Sequence, residues 1–236
     1  MSYILDDKHF ESWSELDKFL NHYYHTVKGE ERVKQSLAMV EGDEVLDVGC
    51  WAGAITHLLG QRHQRVVGVD IHKDCIEVAK KKFHLPNIEF IRTNQELRPL
   101  SEEKFDSIIA LELIEHLEQP LTFLRRLKSL LKPGGFLIVS TPNAVSYLVF
   151  LRSLLRGVPK YVQRIHSWPV FTTDQRSHLY LWDIFTLYRM LNLEGFSYVK
   201  HKFVDNYNLI SKVFSGMPIV QGFLSTIIIK VKNRGD

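Results

Sequence analysis

The chain of 236 residues has little cysteine and lacks long apolar runs. Its two cysteines, Cys50 and Cys75, exclude a disulfide-stapled scaffold, and no CxxC pair indicates a zinc site. No apolar run approaches the roughly 20 residues that span a bilayer, and the first residues lack the apolar core of a signal peptide. Internal repeats and a linker rich in Pro, Gly or Ser are also missing. We therefore expect a single globular domain located in the cytosol.

The net charge is also small, +3 at pH 7, but it is unevenly distributed. Residues 151–236 contain twelve Lys and Arg against five Asp and Glu, so the rest of the chain is acidic. A basic C-terminal third suits an anionic substrate or a membrane surface, and it is also typical of scattered solubilising charge. No basic stripe is interleaved with aromatic residues and no nucleic-acid motif is present, so we expect no nucleic-acid partner.

From about residue 44 onward, short β-rich runs alternate with helical patterns. The predicted strands are near-continuous runs of Val, Ile, Leu and Phe, as in parallel strands covered on both faces. They span 44–48, 65–69, 87–92, 105–111 and 135–140. Apolar residues at helical spacing predict helices at 11–26, 30–40, 74–83, 119–131, 143–155 and 182–192. With two last β-rich runs, 196–204 and 223–232, the pattern predicts a doubly wound α/β domain closed by an antiparallel pair.

The end of the first predicted strand combines a carboxylate with a glycine-rich turn. Asp47 precedes Gly49 and Gly53, which allow close backbone approach to a ligand. Trp51 occupies the middle glycine position of a pyrophosphate loop, which disfavours a nicotinamide-dependent dehydrogenase. A carboxylate there favours a cationic ligand, and Asp70 ends the second strand, where a carboxylate accepts hydrogen bonds from a ribose. S-adenosylmethionine, a cationic adenosine derivative with an amino-acid tail, meets both requirements.

From about residue 23 to residue 232, the sequence resembles the class I S-adenosylmethionine-dependent methyltransferases. The motifs that carry the resemblance occur in the family's order: Leu46-Asp47-Val48-Gly49-Cys50-x-Ala52-Gly53, Gly68-Val69-Asp70-Ile71, Leu111-Glu112-x-Ile114-Glu115-His116, Lys132-Pro133-Gly134-Gly135, Ser140-Thr141-Pro142-Asn143 and His178-x-x-x-Trp182. The third motif is similar to that of small-molecule O-methyltransferases of the ubiquinone pathway.

The resemblance implies a seven-stranded, mostly parallel, Rossmann-like sheet with an antiparallel last strand. It also implies a single methyltransferase domain (1–236) of four parts: an N-terminal helical lid (1–42), a cofactor-binding core (43–143), a substrate-pocket insertion (144–181) and a closing helix and hairpin (182–236). The cofactor that it implies is S-adenosylmethionine, with S-adenosylhomocysteine as product. It assigns to the cofactor Asp47, Gly49, Cys50, Gly53, Asp70, Ile71, Asn94, Gln95 and Glu112.

Two residues depart from the family's pattern. Trp51 stands where the family has glycine, so its indole must point away from the methionine tail or reshape its pocket. Asn94 stands where the family has an aspartate for the adenine amino group, and its amide oxygen still accepts that bond without charge. We expect altered affinity with binding retained. A non-catalytic homologue that binds the cofactor or a partner stays an alternative.

The stretch Glu112-x-x-Glu115-His116 provides the candidate catalytic groups. On a helical turn these three side chains would share one face. His116 is then a general base candidate, with Glu115 beside it and His178 as a second base candidate. The alternatives are a divalent-metal site, which the resemblance allows but which we do not favour, and a purely structural histidine. Tyr23, in the lid, is interpreted either as a cation–π partner of the sulfonium or as a core aromatic.

The insertion 144–171 lies where the family builds its acceptor pocket. Its first part is apolar and too short to span a bilayer, but suits an apolar pocket or peripheral contact with lipid. The activity predicted is methyl transfer to a small-molecule acceptor, with oxygen favoured over nitrogen and carbon because of the Glu-x-x-Glu-His stretch. The acceptor's identity and the oligomeric state stay open.

Overall fold

A computed structural model describes residues 3–5, 8–146, 178–205 and 222–235. Its strands are β1 (Tyr3–Leu5), β2 (Lys8–Phe10), β3 (Glu44–Val48), β4 (Arg65–Asp70), β5 (Ile88–Arg92), β6 (Phe105–Leu111), β7 (Leu131–Pro142), β8 (Phe196–Val204) and β9 (Thr226–Asn233). Strands β3 to β9 form one sheet in the order β5-β4-β3-β6-β7-β9-β8, in which β9 runs antiparallel to both of its neighbours. The predicted seven-stranded sheet with an antiparallel last strand is confirmed.

The helices lie close to their predicted positions. They are α1 (Trp13–Gly29), α2 (Glu31–Leu37), α3 (Ala54–Gly60), α4 (Lys73–Lys82), α5 (Pro120–Leu130) and α6 (Ile184–Leu193). Ser12 caps α1 and Asp183 caps α6 through side-chain oxygens that accept backbone N–H groups. The sequence analysis missed α3 and the β1–β2 hairpin, because helices of seven residues and strands of three carry too little periodicity to be recognised.

Alternate residues along the parallel strands enter two separate cores on opposite faces of the sheet. Leu46 and Ile108 pack with α5 and α6 on one face, whereas Val45 and Ile109 pack with α2 and α3 on the other. Each of these four side chains is fully buried. Two-sided burial explains why β3 and β6 have near-continuous apolar sequences, and it fixes the strand ends relative to each other.

The beginning of β7 differs from its prediction. The sequence predicts a turn over Lys132-Pro133-Gly134-Gly135 and a strand from Gly135, whereas β7 begins at Leu131. The turn residues form an irregularity within the strand, because pairing with β6 shifts register there and Gly134 has a φ of +78°. Lys132 Nζ also binds Asp106 at 2.8 Å, which ties the irregular segment to β6.

Only residues 143–146 of the predicted helix over 143–155 are described, and because they form a bridge and a turn, the helix beyond them stays a prediction. Asn143 forms an isolated parallel bridge with Trp182, and its side-chain oxygen accepts the N–H of Val145. The N–H of Ala144 donates to the carbonyl of Trp182, which joins this segment to the residues before α6. Residues 147–177, which contain Arg152, Arg156 and most of the insertion, lie outside the described residues. In the described ranges, no helix is both long and apolar enough to cross a membrane.

Candidate active site

The carboxyl ends of four neighbouring parallel strands bring the candidate residues to one edge of the sheet. Asp47 lies in β3, Asp70 ends β4, Glu112 follows β6 and Thr141 lies near the end of β7. From β3, the chain adds β4 and β5 on one side of the sheet and β6 and β7 on the other. The strand order therefore reverses beside β3, the strand that contains Asp47. Such a switch point is where doubly wound sheets bind ligands.

The loop after β3 has the left-handed backbone that the two glycines predict. Gly49 and Gly53 have φ values of +77° and +84°. A Cβ on Gly53 would lie 2.7 Å from the ring of Phe90, so a side chain there is excluded. Cys50 is buried behind the loop, and burial raises the pKa of its thiol, which agrees with a small packing residue and not with a nucleophile.

Asp47 is buried at the start of this loop. Its Oδ2 accepts a 2.6 Å hydrogen bond from the Thr56 hydroxyl. Burial raises the pKa of the Asp47 carboxyl to about 7, because few groups replace the water that it has lost. A positively charged ligand beside Asp47 would favour the ionised carboxylate, and this is the property expected of a residue near an ammonium group.

The Asp70 carboxylate is oriented by two backbone groups. Its Oδ2 accepts the N–H of Trp51 and its Oδ1 accepts the N–H of His72, both at 2.9 Å. The structure therefore joins the end of β4 to the loop after β3, which the sequence analysis did not foresee. A carboxylate offers about four acceptor positions, so Asp70 is still able to accept hydrogen bonds from ribose hydroxyls.

The residues predicted to contact the adenosine lie at the periphery. The Ile71 side chain is 53% exposed, as an apolar surface for an adenine ring would be. Asn94 and Gln95, in the segment after β5, are exposed. The Asn94 side-chain oxygen accepts the N–H of Glu96 at 3.1 Å, so the acceptor predicted for the adenine amino group already has a partner.

The predicted helical turn over Glu112, Glu115 and His116 is wrong at Glu112. Glu112 has a φ of +51°, and the short 3-10 turn includes only Ile114–His116. Glu112 leaves the turn because its N–H donates to Ser140 of β7, and its Oε1 accepts the Ser140 hydroxyl at 2.9 Å. Glu112 therefore faces β7, and the three side chains do not share one helical face.

Glu115 is fully buried yet only partly satisfied. Its Oε2 accepts a 3.0 Å hydrogen bond from the Thr141 hydroxyl, whereas its Oε1 has no hydrogen-bond partner in the part of the chain that the structure describes. Burial and the negative charge of Glu112 raise the pKa of Glu115 to about 8. Such a carboxyl exchanges its proton near neutral pH, which is typical of functional sites.

Two histidines complete a cluster with Glu115. The rings of His116 and His178 lie edge to face with centroids 4.9 Å apart. One ligand atom from each of Glu115, His116 and His178 lies within 4.8 Å of the others, a spacing suited to proton transfer or to a divalent cation. The Glu115 carbonyl accepts the N–H groups of Leu179 and Tyr180, which hold the His178 segment against the turn. Burial lowers the pKa of His178.

Arg32, at the start of α2, is a candidate that the sequence analysis missed. Its guanidinium binds Glu30 at 2.8 Å and is mostly buried. Burial raises the pKa of Glu112, and the positive charge of Arg32 opposes that rise. A mostly buried cation that acts on Glu112 at this end of the sheet suits the carboxylate of an amino-acid tail. In the sequence, Arg32 is one of several charged residues of a helix, so no local signal distinguishes it.

Comparisons with known proteins identify the family to which the chain belongs. Residues 20–201 match a family described as a methyltransferase domain. A ubiquinone biosynthesis O-methyltransferase of Bradyrhizobium diazoefficiens is 33% identical over 189 residues, which cover 77% of this chain and 71% of that protein. A ubiquinone biosynthesis O-methyltransferase of Alkalilimnicola ehrlichii is 33% identical over 147 residues, covering 59% of this chain and 58% of that protein.

Solved structures agree on the fold. A magnesium protoporphyrin IX methyltransferase from Synechocystis, with bound S-adenosylhomocysteine, has a TM-score of 0.59 at 19% identity and covers 95% of this chain and 89% of its own. An S-adenosylmethionine-dependent methyltransferase from Mesorhizobium loti has a TM-score of 0.61 at 14% identity, over 87% of this chain and 99% of its own. Together with the family match and the sequence relatives, these findings show that the chain belongs to the methyltransferase-domain family and is a class I S-adenosylmethionine-dependent methyltransferase.

Proposed function

We propose that this methyltransferase methylates a hydroxyl oxygen of a small, largely apolar acceptor, such as a phenol. The observation that carries the proposal is the cluster of Glu115, His116 and His178, whose proton-accepting atoms lie within 4.8 Å of one another, next to the end of β7. A phenolic oxygen must lose its proton when it is methylated, and the cluster provides groups that accept a proton. The relative from Bradyrhizobium, named as an O-methyltransferase of ubiquinone biosynthesis, supports the same class of acceptor.

On the cofactor side, each candidate group matches one part of S-adenosylmethionine. Asp70 is held by two backbone N–H groups in one orientation and suits the ribose hydroxyls. Asp47 suits the ammonium group, Arg32 suits the carboxylate, and the open backbone of Gly49 lets the ligand approach the loop. These assignments are proposals that rest on charge and position. Each assignment is tested by calorimetric titration of S-adenosylhomocysteine into the parent and into a variant of that residue.

The chain's own residues align the acceptor and take its proton. S-adenosylmethionine supplies a methyl group that its sulfonium has already activated. We assign to His116 the role of general base and to Glu115 the stabilisation of the imidazolium that forms. Because burial lowers the pKa of His178, that imidazole stays neutral near pH 7 and is able to orient or relay the proton. The Thr141 hydroxyl fixes the Glu115 carboxyl against β7.

A divalent cation on the same three groups is the second candidate role for the cluster. The orphaned Glu115 Oε1, together with the two imidazoles, is a donor set that fits such an ion. Turnover after dialysis against a chelator, with and without added magnesium, separates the two roles. Unchanged turnover supports the general base, and a loss that magnesium restores supports the metal site.

The decisive experiment measures transfer of labelled methyl from S-adenosylmethionine to paired acceptors that differ only in a phenolic hydroxyl or an amine. We expect the phenol to be methylated and His116→Gln to lower its turnover about a hundredfold, with affinity for S-adenosylhomocysteine retained. His84→Gln is the matched control, because the exposed His84 precedes β5 at the opposite edge of the sheet. Methylation of the amine alone would contradict the proposal, and binding without transfer to either class would favour the non-catalytic alternative.

We also propose peripheral contact with lipid near the site. Leu179 and Leu181, next to His178, are 53% and 50% exposed, and Phe185 at the start of α6 is 82% exposed. Exposed apolar side chains grouped this way are typical of a surface that meets lipid or an apolar ligand. Flotation with vesicles tests the contact, with Phe185→Ser expected to weaken it. A cytosolic location stays a prediction.

A further inference from the structure

Trp51 adopts a backbone conformation that its side chain does not favour. Its φ is +47°, in the left-handed region where residues with a Cβ are uncommon and glycine is preferred. The family that the sequence resembles usually has glycine at this position, so Trp51 adds a large side chain to the loop after β3. A large side chain held in an unfavourable conformation requires surrounding contacts that stabilise it.

Those contacts come from α1. The ring of Tyr23 lies 4.4 Å from the Trp51 ring at an angle of 62°, and the ring of Phe19 lies 6.4 Å away at 77°. Both geometries are edge-to-face arrangements, which aromatic pairs favour. Phe19 and Tyr23 are one helical turn apart, so the indole contacts a single face of α1. The side chain of Trp51 thus bridges the loop after β3 and the N-terminal helix.

The backbone of the same residue contacts the candidate ribose-binding carboxylate. The N–H of Trp51 donates to Asp70 Oδ2 at 2.9 Å. The neighbouring Gly49 and Cys50 donate their N–H groups to the carbonyl of Val69 in the same strand, so three consecutive N–H groups of the loop donate to the end of β4. One residue therefore contacts α1 through its ring and Asp70 through its backbone.

Tyr23, the nearest ring, lies over the cofactor loop. Burial raises the pKa of its phenol, and the negative charges of Glu30 and Asp47 add to the rise. Trp51 supports this tyrosine from one side. The position of α1 above the loop and the orientation of Asp70 are consequently set by contacts to the same residue.

We infer that Trp51 is a positioning residue that couples packing of α1 to cofactor affinity. The inference rests on the proposed cofactor site and goes beyond it, because it predicts that α1 and the ribose carboxylate respond together. Displacing the indole should release α1 and loosen Asp70 at once. Binding of the cofactor, which fixes Asp70, should in turn protect α1 from hydrogen exchange.

The test compares Trp51→Gly with Trp51→Phe. Glycine suits the left-handed backbone better than tryptophan, so a loss of function in Trp51→Gly reports loss of the ring and not strain. We expect Trp51→Gly to weaken S-adenosylhomocysteine binding about tenfold. Hydrogen exchange should become faster in residues 13–29 and at the amide of His72, which donates to the same Asp70 carboxylate as Trp51. Trp51→Phe should bind within about threefold of the parent. Trp51→Asn, which also tolerates this conformation, replaces the glycine variant if that variant does not fold.

Trp13→Ala is the matched control. Trp13 is also an aromatic residue of α1, but its ring lies 3.7 Å from Lys81 Nζ of α4, and its position is about 15 Å along the helix axis from that of Tyr23. We expect Trp13→Ala to lower the melting temperature and to leave the dissociation constant within about twofold. The inference would be overturned if Trp51→Gly bound the ligand as tightly as the parent. It would also be overturned if Trp51→Gly and Trp13→Ala weakened binding equally. If the parent protein did not bind the ligand, the proposed cofactor site would be contradicted instead. In that case, unaltered hydrogen exchange of α1 in ligand-free Trp51→Gly would still overturn the inference that Trp51 holds α1 in place.

Discussion

The Thr141 hydroxyl donates a 3.0 Å hydrogen bond to Oε2 of Glu115, joining the end of β7 to the turn that follows β6. The preceding residue, Ser140, holds Glu112 in the same way at 2.9 Å. Two consecutive hydroxyls therefore fix two carboxyls that repel each other when both are ionised. Burial and the charge of Glu112 raise the pKa of Glu115, and the hydrogen bond from Thr141 opposes that rise, so the surrounding strands control the protonation of this carboxyl.

Turnover should rise with pH towards about 8. Burial and the charge of Glu112 raise the pKa of Glu115 to about 8, so the carboxylate that stabilises an imidazolium is scarce at pH 6 and abundant at pH 9. Glu115→Gln should lower turnover about tenfold at pH 8 and remove this limb of the pH profile. Glu102→Gln, an exposed residue before β6, is the control and should retain the parent profile. A limb that survives in Glu115→Gln would assign it to another group.

Asp47 should make the unfolding free energy depend on pH. Burial raises its pKa from 3.8 to about 7 in the folded protein, so the folded state holds a proton that the unfolded state releases. The stabilisation is fully present below about pH 4 and is lost as the pH rises through 7, by at most about 4 kcal/mol. Urea unfolding of Asp47→Asn between pH 4 and 7 should show a flatter dependence than the parent. Parallel curves would show that Asp47 keeps an ordinary pKa.

Asp70→Ala should weaken S-adenosylhomocysteine binding by about 1.5–3 kcal/mol, the scale of hydrogen bonds to a charged group. The sequence alone predicts little change in stability, but the carboxylate also accepts the N–H groups of Trp51 and His72. We therefore expect the unfolding free energy to fall by about 1 kcal/mol as well. Asp70→Asn, which keeps one acceptor oxygen, should be intermediate in stability. Asp74→Ala, on the exposed first turn of α4, is the control. If calorimetry showed that Asp70→Ala binds S-adenosylhomocysteine as tightly as the parent, the ribose role of Asp70 would be excluded.

Arg32→Met should raise the KM for S-adenosylmethionine about tenfold and leave kcat within about twofold, because it removes binding that is equal in the ground and transition states. Loss of the positive charge should also raise the pKa of Glu112, since Arg32 opposes the effect of burial there. Lys34→Met removes a positive charge from an exposed site on the same helix and should change neither constant. A fall in kcat alone would place Arg32 with the catalytic cluster.

Local sequence was sufficient for the strands of the sheet and for the cofactor loop. The predicted bounds of β3 and β6 agree with the structure residue for residue, because strands covered on both faces need apolar side chains at nearly every position. Gly49 and Gly53 were recognised because the left-handed backbone of the loop restricts the residue type there. In both cases the physical requirement acts on adjacent residues, so the pattern is visible in the sequence.

The cluster of Glu115, His116 and His178, in contrast, was decided by contacts between distant segments. Helical spacing grouped Glu112 with Glu115 and His116, but hydrogen bonds to Ser140 turn Glu112 away, and the bonds from Leu179 and Tyr180 bring His178 into its place. Arg32 likewise meets the site only because α2 packs over the sheet. Residue types and local periodicity determined the fold and the class of ligand, whereas the grouping of side chains depended on strand register and on which buried polar groups found partners across the sheet.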